Sequence, residues 1–110
     1  MNILFVCSAN KIRSLTAEIH FSSLYPEHNF QSAGTNPEEV QKSGGTMLTE
    51  ELVEWANTIY VMEKKHKDII NKHSKKKYSK KINVLAIKDI YKFGEKALVK
   101  LFEKKVKFKK

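Results

Sequence analysis

The chain has 110 residues, of which 41% are hydrophobic and 30% charged, with only 4 Gly and 2 Pro. This composition excludes a disordered or low-complexity chain, and the length allows one domain, residues 1–110, with a modest core. The single cysteine excludes an internal disulfide, and the formal net charge of +9 raises an anionic partner as a question.

The apolar run Ile3-Leu4-Phe5-Val6 predicts a first strand ending at Cys7. It is far too short for a signal segment or a membrane span, so a cytoplasmic protein without a membrane span is the plain reading. Five residues separate Cys7 from Arg13, and Ser14 follows. Leu15 and Ile19, and Ala17, Phe21 and Leu24, then recur at helical spacing. Strand, tight loop and helix follow in that order. A loop feeding a helix N-terminus presents unpaired N–H groups and the positive end of the dipole, so it binds oxyanions. The same field stabilises a thiolate at Cys7. Arg13 brings a planar fork that grips two phosphoryl oxygens. It is also the only arginine in the chain.

Tyr25-Pro26-Glu27-His28 ends the helix, and Asn29–Ala33 predicts a second strand. From Gly34 to Gly45 the sequence is polar and rich in turn residues, which predicts a long loop beside the site. Thr49 caps a helix with Glu50 and Glu51 in its first turn, burying Leu52, Val53 and Trp55. Thr58–Met62 predicts a third strand, and residues 63–73 a helix with Met62, His66, Ile69, Ile70 and His73 along one side. His66 and His73 read as boundary residues. Ser74–Lys81 reads as a Lys-rich loop or a frayed helix end, Ile82–Ile87 as a fourth strand, and Lys96–Val106 as a helix with Leu98, Leu101, Phe102 and Val106 on its apolar face. The last residues, 107–110, read as a loose tail. The positive charge is concentrated: residues 64–81 hold 9 Lys against one Asp, and residues 96–110 hold 7 Lys against one Glu.

Alternating strands and helices imply an α/β fold of three layers, a parallel sheet with helices on both faces. Ligands of such sheets bind beyond the carboxyl ends of the strands. Cys7, Ser32, Met62 and Asp89 all fall at those ends, so they converge on one edge.

These residues carry a resemblance. Cys7-x5-Arg13-Ser14 after the first strand, with Asn10 inside the loop, resembles the low-molecular-weight protein tyrosine phosphatases. Ser32-Ala33-Gly34-Thr35 is similar to the family's segment after the second strand, Ile59-Tyr60-Val61-Met62-Glu63 to its third strand, and Asp89-Ile90-Tyr91 to its Asp-Pro-Tyr acid loop. The match in order and spacing spans about residues 2–106. It implies a phosphotyrosine phosphatase I-like fold of four strands in the order 2-1-3-4. It further implies Asn10 holding the loop open in a network with Ser32, Asp89 as general acid, and Tyr91 walling the substrate slot. The chain departs from the family pattern at several positions. Ala9 replaces a loop glycine, Leu15 a proline, Ile12 a second cysteine and Ile90 the acid-loop proline. Ser8 and Lys11 stand where the animal enzymes are apolar, and a histidine of the loop network has no evident counterpart.

The expected chemistry is phosphate monoester hydrolysis. Cys7 is the nucleophile, with Arg13 and Asp89 the other catalytic residues. Ser8, Ala9, Asn10, Lys11, Ile12, Arg13 and Ser14 bind the phosphate, with Tyr91 against the substrate and Ser32 in support. The expected ligands are a phosphorylated protein or small aryl phosphate, inorganic phosphate and other oxyanions. No cofactor or metal is expected, because the loop supplies the positive potential and no His/Cys/Asp/Glu cluster has zinc spacing. Two alternatives stand. One is a catalytically weak oxyanion- or phosphoprotein-binding module on the same fold. The other, less favoured, is a nucleic-acid binder using the Lys segments, where only Tyr78 and Phe108 offer aromatic interleaving.

Overall fold

The structure, a computed structural model, describes residues 1–107. The tail beyond residue 107, including Phe108, lies outside the described residues. In chain order the elements are β1 (Asn2–Cys7), α1 (Arg13–Leu24), β2 (Asn29–Gly34), α2 (Pro37–Ser43), α3 (Glu50–Trp55), β3 (Thr58–Val61), α4 (Lys64–Ser74), β4 (Ile82–Val84) and α5 (Lys96–Lys105). A short 3-10 turn, Ser79–Lys81, precedes β4.

The four strands are parallel in the order β2-β1-β3-β4. β1 is central and buried on both faces, which is why its sequence is continuously apolar rather than alternating. Its odd residues Ile3 and Phe5 face a core built with Ala17 and Phe21 of α1 and Leu98 and Phe102 of α5. Its even residues Leu4 and Val6 face Val53 of α3 and Ile70 of α4. The Phe5 ring stacks on Phe21 at 5.6 Å and on Tyr60 at 5.7 Å between centroids. The described residues therefore form three layers, with α1 and α5 on one face and α3 and α4 on the other. Among them no helix is long and apolar enough to cross a membrane.

Three expectations change. The long loop between Gly34 and Gly45 contains α2. Asn36 caps it by accepting from Glu39 N–H, Pro37 sits in its first turn, and Gly44 closes it at φ 73°. Asn, Pro and Gly serve helix ends as well as turns, and here they punctuate a two-turn helix. The apolar stripe of α1 also divides. Ala17 and Phe21 enter the core, whereas Ile19 and Leu24 are about half exposed, at 51% and 52%. The face turned inward instead carries Arg13 and Ser14. Finally, β4 ends at Val84 rather than at Ile87. Ala86 adopts φ 56°, which breaks the strand, although Leu85 and Ile87 N–H still donate to Val61 and Met62 carbonyls.

The division of α1 is measurable. Phe21→Ala should lower stability by about 3–5 kcal/mol in urea denaturation, whereas Ile19→Ala should change it by less than about 0.5 kcal/mol.

Candidate active site

The site begins where β1 runs out. Cys7 is paired in register with Gly34, and the chain must then turn sharply to enter α1. The turn is held from outside. Thr35 N–H donates to Cys7 C=O at 3.0 Å, and Asn36 N–H to Ser8 C=O at 3.0 Å. Ser43 Oγ of α2 donates to Ala9 C=O at 2.8 Å. Three successive carbonyls are thereby drawn toward the β2–α2 segment, so the loop's N–H groups are free to face the opposite way. Among the described residues, the N–H groups of Ser8, Ala9, Lys11 and Ile12 donate to no backbone carbonyl outside helices and strands. Successive unspent N–H groups ahead of a helix make an anion-binding concavity. Close approach requires Gly34. A Cβ there would lie 2.6 Å from Ser8 C=O and 2.5 Å from the Val40 side chain.

Inside the loop one hydrogen-bond chain ends on the sulfur. Asn10 takes φ 53°, a conformation asparagine tolerates. Its Oδ1 accepts from Thr46 N–H at 2.8 Å, which fixes the amide's orientation. Its Nδ2 then donates to Ser14 Oγ at 3.0 Å. With that lone pair occupied, the Ser14 hydroxyl is set to donate to Cys7 Sγ, 2.9 Å away. Asn10 N–H adds a second donor to the sulfur at 3.3 Å. Cys7 itself is 3% exposed. The expected link between Asn10 and Ser32 does not form. Ser32 Oγ donates to Glu18 of α1 at 2.6 Å, and Thr46 N–H is the partner of Asn10 instead.

Arg13 is 2% exposed, so its charge needs partners within the protein. Nη1 donates to Glu63 Oε2 at 2.6 Å and to Ile87 C=O at 2.8 Å. This leaves Nη2 and Nε for a ligand. Asp89 Oδ1 stands 3.7 Å from Nε, an ion pair longer than a hydrogen bond, and its side chain is 65% exposed. The hydrogen bond from Arg13 holds the Glu63 carboxyl below its usual range. The segment carrying Asp89 is pinned to α1, with Gly94 N–H donating to Thr16 Oγ1 at 3.1 Å. Glu95, farther along, spends its carboxylate on Lys92 N–H at 3.0 Å. Tyr91 lines an open groove beside the loop together with Lys11, Ile12, Leu15, Lys92 and Phe93.

Two residues of the site were not expected in these roles. Glu63 is the counter-ion of Arg13, and His66 lies fully buried beneath the loop. His66 Nδ1 accepts from Glu63 N–H at 3.0 Å. A backbone N–H can only donate, so the ring's proton resides on Nε2, which donates to Ser8 Oγ at 2.9 Å. The imidazole is neutral. Burial, followed by the charge of Arg13, lowers its pKa to about 4. The sequence signal was the spacing Glu63-x-x-His66 directly after a strand, which matches reciprocal capping at a helix start. Tyr78, by contrast, is not a free stacking platform. Its ring is buried under α3 and its hydroxyl donates to Glu54 at 3.0 Å.

Residues 2–54 match the model of the low molecular weight phosphotyrosine protein phosphatase family. No curated protein sequence matches the chain. Several solved structures do. A YwlE mutant from Bacillus subtilis is 31% identical, with 77% of this chain and 71% of that chain covered and a TM-score of 0.64. YwlE arginine phosphatase with a phosphorylated active-site serine is 26% identical over 96% of this chain and 86% of that one, at a TM-score of 0.66. The tyrosine phosphatase AmsI from Erwinia amylovora is 25% identical over 94% and 86%, at a TM-score of 0.73. Fold, loop and likeness together define a phosphatase that works through a cysteine nucleophile. The chain belongs to the low molecular weight phosphotyrosine protein phosphatase family.

The buried imidazole sets an acid limit on stability. In the unfolded chain it takes up a proton near pH 6.5, whereas in the folded chain it stays neutral to about 4. The unfolded state therefore binds more protons between those values, and stability falls as pH falls through that window, by on the order of 3 kcal/mol in all. Glu63, whose folded pKa is depressed, adds a further loss as pH drops through that value. Urea midpoints at pH 7, 5.5 and 4.5 should decline in the wild type. In His66→Gln the decline down to pH 4.5 should be markedly shallower.

Proposed function

We propose that residues 1–110 act as one catalytic domain that hydrolyses phosphotyrosine or a similar aryl phosphate through a cysteinyl-phosphate intermediate. The observation that carries this reading is the hydrogen-bond chain from Thr46 through Asn10 and Ser14 to the Cys7 sulfur. A structural cysteine has no need of two donors aimed at it, whereas a thiolate nucleophile does. The substrate phosphate rests among the N–H groups of residues 8–13 and on the Nη2 and Nε edge of Arg13. Cys7 attacks phosphorus in line and the bond to the leaving oxygen breaks. Asp89, protonated at that moment, supplies the proton to that oxygen. Water then attacks the cysteinyl phosphate, with Asp89 taking the water's proton, and inorganic phosphate and free thiolate are released. Loop dipoles and Arg13 stabilise the charge on the equatorial oxygens. Tyr91 flanks the aromatic leaving group. A lone thiolate with no second cysteine to shield it suits a reducing compartment, which supports a cytoplasmic setting.

Cys7→Ser should abolish hydrolysis of an aryl phosphate while still binding vanadate. A variant retaining turnover would remove Cys7 from the mechanism. Arg13→Lys keeps the charge but loses the fork, and should lower kcat/KM by more than tenfold, roughly 1.4 kcal/mol or more.

Asp89→Asn distinguishes the general acid. Expelling an unprotonated aryl oxide is hardest when the phenol is a weak acid. The variant should therefore lose far more kcat/KM with phenyl phosphate than with nitrophenyl phosphate, and the alkaline limb of the pH profile should flatten. Equal losses with both substrates would assign the proton donor elsewhere.

A further inference from the structure

The groove beside the phosphate loop has two unequal chemistries. Its floor is apolar: Ile12 and Leu15 from the start of α1, and Tyr91 and Phe93 from the segment after β4. Its two charged members are both cations, Lys11 on the loop and Lys92 beside Tyr91. Each is exposed, and among the described residues neither lies within ion-pair distance of a carboxylate. The two acids nearest Lys92 in the chain face other groups: Asp89 stands 3.7 Å from Arg13 Nε, and Glu95 caps Lys92 N–H. That cap also fixes where the Lys92 side chain begins, and the bond from Gly94 to Thr16 ties the segment to α1. The two lysines thus line one groove with two aromatic and two aliphatic side chains, and the segment that carries Lys92 is tied to α1.

Resting on the hydrolase reading above, we propose that Lys11 and Lys92 set the substrate class. The groove selects aryl phosphates whose leaving group bears a further negative charge, such as phosphotyrosine flanked by acidic residues, and disfavours phosphoarginine. The apolar floor rewards the ring, and a carboxylate just beyond it meets two unpaired cations. A phosphoarginine would bring its guanidinium between the same two cations, where like charges repel. The backbone N–H groups of the loop and Arg13 still serve phosphate in either substrate, so the discrimination resides in the leaving group. Lysine fits this task. Its mobile point charge follows a carboxylate that differs in position between substrates, where a guanidinium fork would demand one geometry.

The test compares 3-carboxyphenyl phosphate with its neutral amide, 3-carbamoylphenyl phosphate, at low and high ionic strength. Because Lys11 also belongs to the phosphate loop, the readout is the ratio of the two kcat/KM values within each variant, which cancels losses common to both. The wild type should favour the carboxylate by roughly fivefold at low salt, and the preference should shrink toward unity in 0.5 M salt, where screening is strong. Lys11→Gln with Lys92→Gln should erase it, and Lys11→Arg with Lys92→Arg should retain most of it. The glutamine pair should also narrow the gap between an acidic phosphotyrosyl peptide and a phosphoarginyl peptide. A wild-type ratio near one, or a ratio untouched by the glutamine pair, overturns this proposal while leaving the hydrolase reading intact. Faster turnover of a phosphoarginyl than of an acidic phosphotyrosyl peptide overturns it as well. No turnover of either aryl phosphate by the wild type overturns both.

Discussion

A full positive charge buried to 2% exposure organises this molecule's functional edge. The guanidinium of Arg13 can sit there only because the protein surrounds it with acceptors. Glu63 arrives from the end of β3, Ile87 C=O from beyond β4, and Asp89 two residues later. One side chain at the start of α1 therefore ties together the ends of two other strand segments. Taking away a partner from such a buried charge is far costlier than a surface ion pair would suggest, because the remaining charge stays desolvated. Among the described residues the direct hydrogen bonds of this network all use Nη1, while Asp89 stands off Nε at 3.7 Å.

The loop obeys a related constraint, now of backbone polarity rather than charge. Each peptide unit has its carbonyl and its neighbour's N–H on opposite sides, so satisfying the carbonyls of Cys7, Ser8 and Ala9 from one flank presents N–H groups on the other. The flank is β2, its glycine and the helix α2. The segment whose composition predicts a long loop beside the site is thus its buttress. Gly34 allows the two backbones to meet, and Asn36, besides capping α2, donates its own N–H to Ser8. Below the loop, His66 completes the support with a neutral ring. A protonated imidazole would lose the acceptor for Glu63 N–H and place a second cation close to Arg13.

Much of this was legible because its causes are local. The apolar run of β1, the spacing of Cys7, Arg13 and Ser14, and the amphipathic pattern of α5 each state their structure within a few residues. What was misread had two local meanings. Asn36-Pro37 and Gly44-Gly45 suit a turn-rich loop and equally the two ends of a short helix. Ile19 and Leu24 suit an apolar stripe, yet the turn facing inward is taken by Arg13 and Ser14, so the neighbouring stripe falls outward. Tyr78 looked like an aromatic among lysines, and only the packing of α3 against the 3-10 turn reveals it as a core residue.

The sequence by itself determined the class of fold and the strand, loop and helix that place Cys7, because such a unit can be specified by consecutive residues. Order along the chain also dictated that Cys7 and Asp89 lie at one sheet edge, since parallel strands share their carboxyl ends. Only the tertiary structure decided who partners whom across that edge. Glu63 with Arg13, His66 with Ser8, Thr46 with Asn10 and Ser32 with Glu18 are separated by 14 to 58 residues. Several acids and hydroxyls were equally available to each donor. The choice follows from the register of β1 against β2 and β3 and from the angle at which α1 leaves the loop, quantities that belong to the packed whole.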